Sequence, residues 1–317
     1  MTGGTDPHVR TATVAVLTYR RPDDLAELLP LLLAEADRAT VDAEVLVVDN
    51  DPDGGAADQV AAAAAGADGA LRYAHEPTPG IAAARNRALD EAGGRDLLLF
   101  IDDDERPEPG WLDAMVGCWQ RYGSTVVAGP VISRFPSEPG PWIRSGRFFD
   151  RRRPPTGTDL ELVATNNLLI DLHGLAALGD LRFDVRYGLS GGSDTLFSRH
   201  LVQRGGSMIW CDEAVVHDVV PPGRMTRQWV LRRAYRMGNT WMRTSLEASP
   251  PGTGRALVWS RLVVAGLVRL GGGGLRVAWG GVTGRMSHRA RGMRTAARGA
   301  GLLAGGLGVV YAEYRRA

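Results

Sequence analysis

Short apolar runs alternate along the first hundred residues with segments whose apolar positions recur every three or four residues. Thr13–Thr18, Glu44–Val48 and Leu97–Ile101 are continuous apolar runs of the length expected of buried strands. Between the first two, Pro22-Asp23-Asp24 opens a segment with Leu25, Leu28, Leu29 and Leu32 at helical spacing. Its proline suits the first helical position and its acids suit a helix N-terminus. The pattern further predicts an Ala-rich helix near Gly55–Ala67, a short strand at Leu71–Tyr73 and a helix over Gly80–Ala92. Strands alternating with helices in this way predict an α/β fold with a mostly parallel central sheet.

Downstream the pattern loosens. Val126–Val131, Leu168–Ile170, Ser207–Trp210 and Ala214–Val216 read as strands, and Ser133–Thr158 reads as a long loop rich in Pro, Gly and Arg. Gly191-Gly192-Ser193-Asp194 precedes a helix carrying Leu196, Phe197, His200 and Leu201. Gln228–Trp241 reads as a basic helix, Ala256–Leu270 as an apolar segment broken by Arg261 and Arg269, and Gly271–Gly274 as a hinge. Val282–Ala312 holds basic and then Gly-rich apolar segments. These patterns divide the chain into a body at 1–223, with parts at 12–110 and 126–223, and a helical region at 224–317. No stretch reaches the roughly 18 uninterrupted apolar residues of a membrane span. The segment Met1–Arg10 lacks the apolar core of a secretory signal.

The chemistry concentrates where the predicted strands end. Three strand ends carry Thr18, Asp49 and the run Asp102-Asp103-Asp104-Glu105, and open α/β sheets bind ligands at the carboxyl ends of their strands. Carboxylates crowded this closely repel one another unless a cation sits among them. Hard oxygen donors suit Mg²⁺ or Mn²⁺ completed by substrate phosphates, so the run reads as a metal–diphosphate site. A solvated acidic turn is the alternative.

Composition adds two points. The two cysteines, Cys118 and Cys211, have no metal-ligand spacing and form no disulfide framework, which predicts a cytoplasmic chain. The net charge of +1 conceals an asymmetry, because residues 224–317 hold 17 Arg against two acids, Glu247 and Glu313. A basic region on an acidic body predicts an anionic partner. No nucleic-acid motif accompanies it, so nucleic acid is not expected and an anionic membrane surface at the inner face of the cell membrane is the favoured candidate. Packing of these helices on the body is the alternative.

Five pieces occur in one order: Val14–Pro22, Val47-Val48-Asp49-Asn50, Gly80–Asn86, Phe100–Glu105 and Gly191–Asp194. Together they resemble glycosyltransferase family 2, inverting nucleotide-sugar enzymes of GT-A fold, over roughly residues 12–240. The resemblance implies that Thr18, Tyr19, Arg20 and Asp49 line the nucleoside pocket, with Arg85 on the diphosphate. Asp49 favours uracil or another base with a ring imide, or else caps the following turn; Arg85 is otherwise an exposed helix residue. Asp102 and Asp104 match the family's Asp-x-Asp motif, with Asp103 between them. By that match Asp104 coordinates the metal and Asp102 holds the ribose or a metal-bound water.

His217 stands where GT-A enzymes often place a third metal ligand, or is structural. Asp194 is the implied general base, or a helix N-cap; the family commonly has Glu-Asp where this chain has Ser193-Asp194. Arg232, Arg233, Arg236 and Trp241 do not reproduce the Gln-x-x-Arg-Trp motif of processive members, which implies a single transfer. Trp142, Asn166, Asn167 and Arg233 are candidates for acceptor contacts, with packing beneath the loop the alternative for Trp142 and a solvated face for Arg233.

The implied activity is transfer of one sugar from a nucleoside-diphosphate sugar, UDP-sugar favoured, to a carbohydrate, lipid-linked or small-molecule acceptor. A nucleotidyltransferase would also use an acidic metal site, but Thr18-Tyr19-Arg20-Arg21 is not a Gly-rich phosphate loop. A degenerate, non-catalytic module docking through the basic region is the alternative of a different class.

Overall fold

A computed structural model describes residues 11–311, so the reading of Met1–Arg10 lies outside the described residues. In chain order the elements begin with β1 (Thr11–Thr18), α1 (Pro22–Arg38), β2 (Asp42–Asp49), α2 (Ala57–Ala64), β3 (Leu71–His75), α3 (Ile81–Glu91) and β4 (Leu97–Asp102). There follow β5 (Glu105–Pro107), α4 (Trp111–Tyr122), β6 (Val126–Ala128), β7 (Val131–Arg134), α5 (Pro141–Gly146), β8 (Asn167–Asp171), α6 (Leu172–Ala177) and α7 (Ser193–Gln203). The chain closes with β9 (Met208–Trp210), β10 (Val216–Val219), α8 (Arg227–Glu247), α9 (Thr253–Val282) and α10 (Met286–Gly306).

Two compact units result. One takes the chain up to Ile132 together with Arg151–Gly188 and Ser193–Asp218; the other takes Ser133–Asp150, Leu189–Gly192 and Val219 onward. The first is built on a seven-stranded sheet of order β3-β2-β1-β4-β8-β6-β9. Its first four strands are parallel, β8 runs antiparallel to both neighbours, and β6 and β9 are parallel.

Both faces of this sheet are covered, which is why its central strands read as unbroken apolar runs rather than alternating ones. Val14, Val16, Val45 and Val47 face one cluster with Leu25, Leu28 and Leu32 of α1 and Trp111 and Met115 of α4. Ala15, Leu17, Leu46 and Val48 face the other with Ala84 and Ala88 of α3 and Phe197 and Leu201 of α7. Each such Val, Leu, Met or Phe side chain removed from water contributes roughly 1.5–3 kcal/mol, so the sheet is the rigid platform of this unit.

Several expectations are corrected. The apolar run Val126–Val131 is not one strand: it breaks at Gly129-Pro130 into β6 of the large sheet and β7 of a three-stranded sheet ordered β5-β10-β7. At Gly129 a Cβ would overlap the Ala214 carbonyl and the Asn167 amide, and Pro130 has no N–H for a ladder. The long loop Ser133–Thr158 includes the end of β7 and a short helix, α5. Ala214-Val215 precedes β10 rather than belonging to it.

The largest correction lies in the second unit. Gly271–Gly274 is no hinge but part of α9, a 30-residue helix that runs through it. Gly273 of α9 faces Gly292 of α10, each lying where a Cβ would strike the other's backbone carbonyl. Close backbone approach along this seam offsets the helix cost of glycine, about 1 kcal/mol per residue.

Candidate active site

Register brings the strand-end residues together. Thr18 lies opposite Asp49 on the neighbouring strand, and Leu17 lies opposite Asp102, so Thr18, Asp49 and Asp102 line one edge of the sheet. Thr18 Oγ1 donates to Asp103 Oδ2 at 3.1 Å in a buried contact. Tyr19 lies under the Arg20 guanidinium, 5.3 Å from ring centroid to Cζ. Arg20, at φ 54, donates through Nε to Asp51 Oδ2 at 3.0 Å and through Nη2 to Asp53 Oδ2 at 3.1 Å.

Asp49 caps the loop that follows it. Its Oδ1 accepts from the Asp51 amide at 2.9 Å, and its Oδ2 accepts from the Ala56 amide at 2.8 Å and the Tyr73 hydroxyl at 3.2 Å. Asn50 ties this loop to the next one: its Nδ2 donates to the carbonyls of Glu76 and Thr78, and its Oδ1 accepts from the Gly80 amide ahead of α3. The edge that carries Thr18, Asp49 and Asp102 is therefore held by internal hydrogen bonds.

The acidic run is crowded and only partly compensated. Burial pushes Asp102 up to about 7, with Asp104 and Asp103 adding to it against Arg85 and Arg21. Burial likewise raises Asp103 to about 6 against the pull of Arg21, and pushes Glu105 well above the usual carboxylate range. Arg21 pairs directly with the run, its Nη1 lying 2.7 Å from Asp103 Oδ1 and 3.0 Å from Asp104 Oδ2. Buried carboxylates that resist ionisation form a donor set of hard oxygens that a divalent cation fits. Among the described residues no three His, Cys, Asp or Glu side chains gather as a protein-only metal cage. The arrangement thus suits a cation held by one or two carboxylates and substrate phosphates.

Arg85 on α3 is buried, not an exposed helix residue. Its Nη1 donates to Ser193 Oγ at 2.8 Å, its guanidinium lies 5.4 Å from the Phe183 ring centroid, and its buried Nε has no partner among the described residues. Ser193 opens α7, and Asp194 follows within the first turn, its Oδ1 accepting from the Thr195 amide at 2.7 Å. Arg85 thus acts electrostatically on Asp102 of the acidic run and is hydrogen-bonded to Ser193, the residue before Asp194.

The other expected residues lie elsewhere in the packing. His217 on β10 bonds through Nε2 to Glu108 Oε1 at 2.7 Å and does not join Asp102 and Asp104 in a group of three. Asn167 is buried in the core: its Oδ1 accepts from Trp111 Nε1, and its Nδ2 donates to the carbonyls of Pro130 and Ala214. Asn166 Nδ2 donates to Glu105 Oε1 at 2.7 Å, bracing the acidic run. In the second unit, Trp142 packs against Phe148 with centroids 4.7 Å apart, and Arg233 lies over Trp229 at 5.1 Å.

Sequence reasoning placed Arg21, Asn50 and Ser193 within its motifs but assigned none of them a contact. Their signal was position alone: each adjoins a strand-end or helix-start residue already singled out.

The sheet order and the polar strand-end row define a GT-A glycosyltransferase fold. Among solved structures, the chain is similar to the mannosyltransferase PcManGT from Pyrobaculum calidifontis in complex with GDP-Man and Mn²⁺, at TM-score 0.61 and 20% identity over 95% of this chain and 89% of that one. It is also similar to S. aureus TarS 1-349 in complex with UDP-GlcNAc, at TM-score 0.53 and 16% identity over 93% and 91% of the two chains. The chain belongs to glycosyl transferase family 2, whose pattern matches residues 13–183. It is 34% identical over 227 residues to the succinoglycan biosynthesis protein ExoM of Rhizobium meliloti (strain 1021), covering 72% of each chain. It is a glycosyltransferase.

Proposed function

We propose that this glycosyltransferase moves a single sugar, with inversion, from a nucleoside-diphosphate sugar to an acceptor hydroxyl in a divalent-cation-dependent reaction. The observation that carries the reading is Arg85, a buried cation whose Nε has no partner among the described residues, acting on Asp102 and bonded to Ser193 on the helix bearing Asp194. A guanidinium there binds diphosphate oxygens with charge-assisted hydrogen bonds and holds the leaving group. Asp104 and Asp102 would hold Mn²⁺ or Mg²⁺, which supplies Lewis-acid neutralisation of the charge developing on the nucleoside diphosphate. Thr18, Tyr19, Arg20, Asp49 and Asp103 shape the nucleoside end of the site. Asp194 takes the proton from the attacking acceptor hydroxyl.

The donor is read as a UDP-sugar. Neighbours of this fold hold either GDP-Man or UDP-GlcNAc, so the base is a matter for direct test. The ExoM relative is named for succinoglycan biosynthesis, which favours a saccharide acceptor, whether free, small-molecule or lipid-linked. The arginine excess after residue 223 supports a cytoplasmic protein peripheral to the inner face of the cell membrane.

Calorimetric titration with UDP, GDP and dTDP, with and without Mn²⁺, tests the reading. Mn²⁺-dependent binding of UDP that is lost in Asp104→Ala is the expected result. Preference for GDP or dTDP would redirect the donor, and absence of binding under every metal condition would sink the proposed site.

A further inference from the structure

Among the described residues, helix α9 packs within its own unit through one narrow face. Gly266, Gly273 and Gly280, spaced by seven residues, are its buried positions. Gly273 meets Gly292 of α10 and Gly280 meets Arg289 and Arg285, each close enough to exclude a Cβ, and Gly266 lies against Gly299, where a Cβ on Gly299 would strike the Gly266 carbonyl. On the side opposite this seam, at 3.6 residues per turn, stand Leu257, Val264, Val268, Leu275 and Val282. Their exposure runs from 59% at Val264 to 86% at Val282. Leu267 and the glycines at 271 and 274 widen the stripe along a helix about 45 Å long. Exposed apolar stripes of this extent mark interaction surfaces.

Charge decides what covers it. Arg261, Arg269 and Arg276 fall together on one flank of the stripe, and α9 contains no acid at all. Arg298 of α10 lies near both Arg269 and Arg294, and burial together with these two arginines pulls it below its ordinary value. An apolar face bordered by arginines alone is complementary to acyl chains bordered by phosphates. A second copy would bring like charge against like charge. By length and composition α9 could cross a bilayer. Crossing, however, would draw three arginines into hydrocarbon, whereas lying in the plane leaves them at headgroup level.

We infer that α9 is an in-plane docking helix for an anionic lipid surface, with Leu257, Val264, Val268, Leu275 and Val282 entering the acyl boundary and Arg261, Arg269 and Arg276 meeting lipid phosphates. The inference rests on the peripheral-membrane reading above and assigns it a face, an orientation and a headgroup charge. The α9–α10 glycine seam serves it by fixing the helix as a rigid, one-sided ridge.

Co-sedimentation of the full-length protein with vesicles tests this directly, using phosphatidylcholine alone and phosphatidylcholine mixed with phosphatidylglycerol. The wild type is expected to bind the mixed vesicles and to be released by salt. V268S/L275S should weaken that binding by roughly tenfold or more, since two buried aliphatic side chains are lost. R261Q/R269Q/R276Q should weaken it by a comparable factor and erase the preference for the anionic lipid. Circular dichroism and Mn²⁺–UDP titration establish that both variants remain folded.

Wild-type binding that V268S/L275S leaves unchanged overturns the assignment to α9 while keeping a peripheral protein. Absence of wild-type binding overturns both, and leaves the transfer reaction standing if diphosphate titration succeeds. Membrane association that resists carbonate extraction overturns the in-plane placement in favour of a span. A wild-type dimer in sedimentation velocity, made monomeric by V268S/L275S, assigns the stripe to a second copy instead.

Discussion

Arg85 and Ser193 are 108 positions apart in the sequence and joined by a 2.8 Å hydrogen bond from Nη1 to Oγ. The partner is neutral, so the arginine is held in place without having its charge cancelled. A carboxylate in the same position would form an ion pair and compete with the diphosphate for the guanidinium.

Arg85→Gln should weaken nucleoside diphosphate binding by roughly 10–100-fold, the scale of hydrogen bonds to a charged group. Ser193→Ala should weaken it only severalfold, because the charge remains. Ser193→Glu should approach the loss seen in Arg85→Gln. Calorimetry on the three proteins checks this order, and a Ser193→Glu protein binding as tightly as wild type would contradict it.

Mn²⁺ dependence should reside in the acidic run and not at His217. Asp104→Ala and EDTA treatment are each expected to abolish the metal-dependent part of diphosphate binding. His217→Ala should retain it, because that imidazole is engaged with Glu108. Loss of the metal effect in His217→Ala would restore the ligand role inferred from sequence.

Arg21 occupies the carboxylates a metal would share, with contacts to both Asp103 and Asp104. Arg21→Gln should lower thermal stability by about 1–3 kcal/mol, the cost of leaving a buried acceptor poorly paired. Added Mn²⁺ should then raise the melting temperature more in the variant than in wild type, because a competing cation is gone. Thermal denaturation with and without Mn²⁺ measures both effects.

Asp194→Asn removes the candidate base but keeps its shape. Turnover is expected to fall by about 10²–10⁴-fold, the scale of general base catalysis, with diphosphate affinity unchanged. A fall in affinity instead of turnover would assign Asp194 to helix capping.

Glu44 gives a pH test independent of the site. Burial works against its carboxylate, but hydrogen bonds from Thr13, Arg72 and Arg95 outweigh that and hold it below its ordinary value of 4.5. A folded-state value below the unfolded one adds stability that is present above pH 4.5 and is lost as pH falls through the lower value. Glu44→Gln should cost about 1 kcal/mol at neutral pH and flatten the acid limb of the stability curve, read by denaturant unfolding at several pH values.

The sheet and its ligand edge were legible because both are local facts of the chain. Val14–Thr18, Val45–Asp49 and Leu97–Asp102 are apolar runs that end in polar residues, and a parallel sheet places such ends side by side. The same logic located α1, α3 and the helix after Gly192. Misreadings came where an element's state depends on a distant neighbour. Val126–Val131 looks continuous until Ala214 and Asn167 crowd Gly129. Gly271–Gly274 looks like a break until α10 supplies a seam that only glycine fits.

By itself the sequence determined the alternation of strands and helices from β1 to β4, the family and the carboxylates that gather at one edge, because periodicity and strand ends are written in adjacent residues, whereas α4 and α6 went unread. Only the tertiary structure decided which partners those residues keep. It gave Asp49 to its own loop, Asn167 to the core and His217 to Glu108, and it brought Arg21 to the acidic run and Ser193 to Arg85. The physical reason is that a buried polar group must be satisfied by whatever donor or acceptor the packing brings within about 3 Å, and that choice is made by residues scores of positions away.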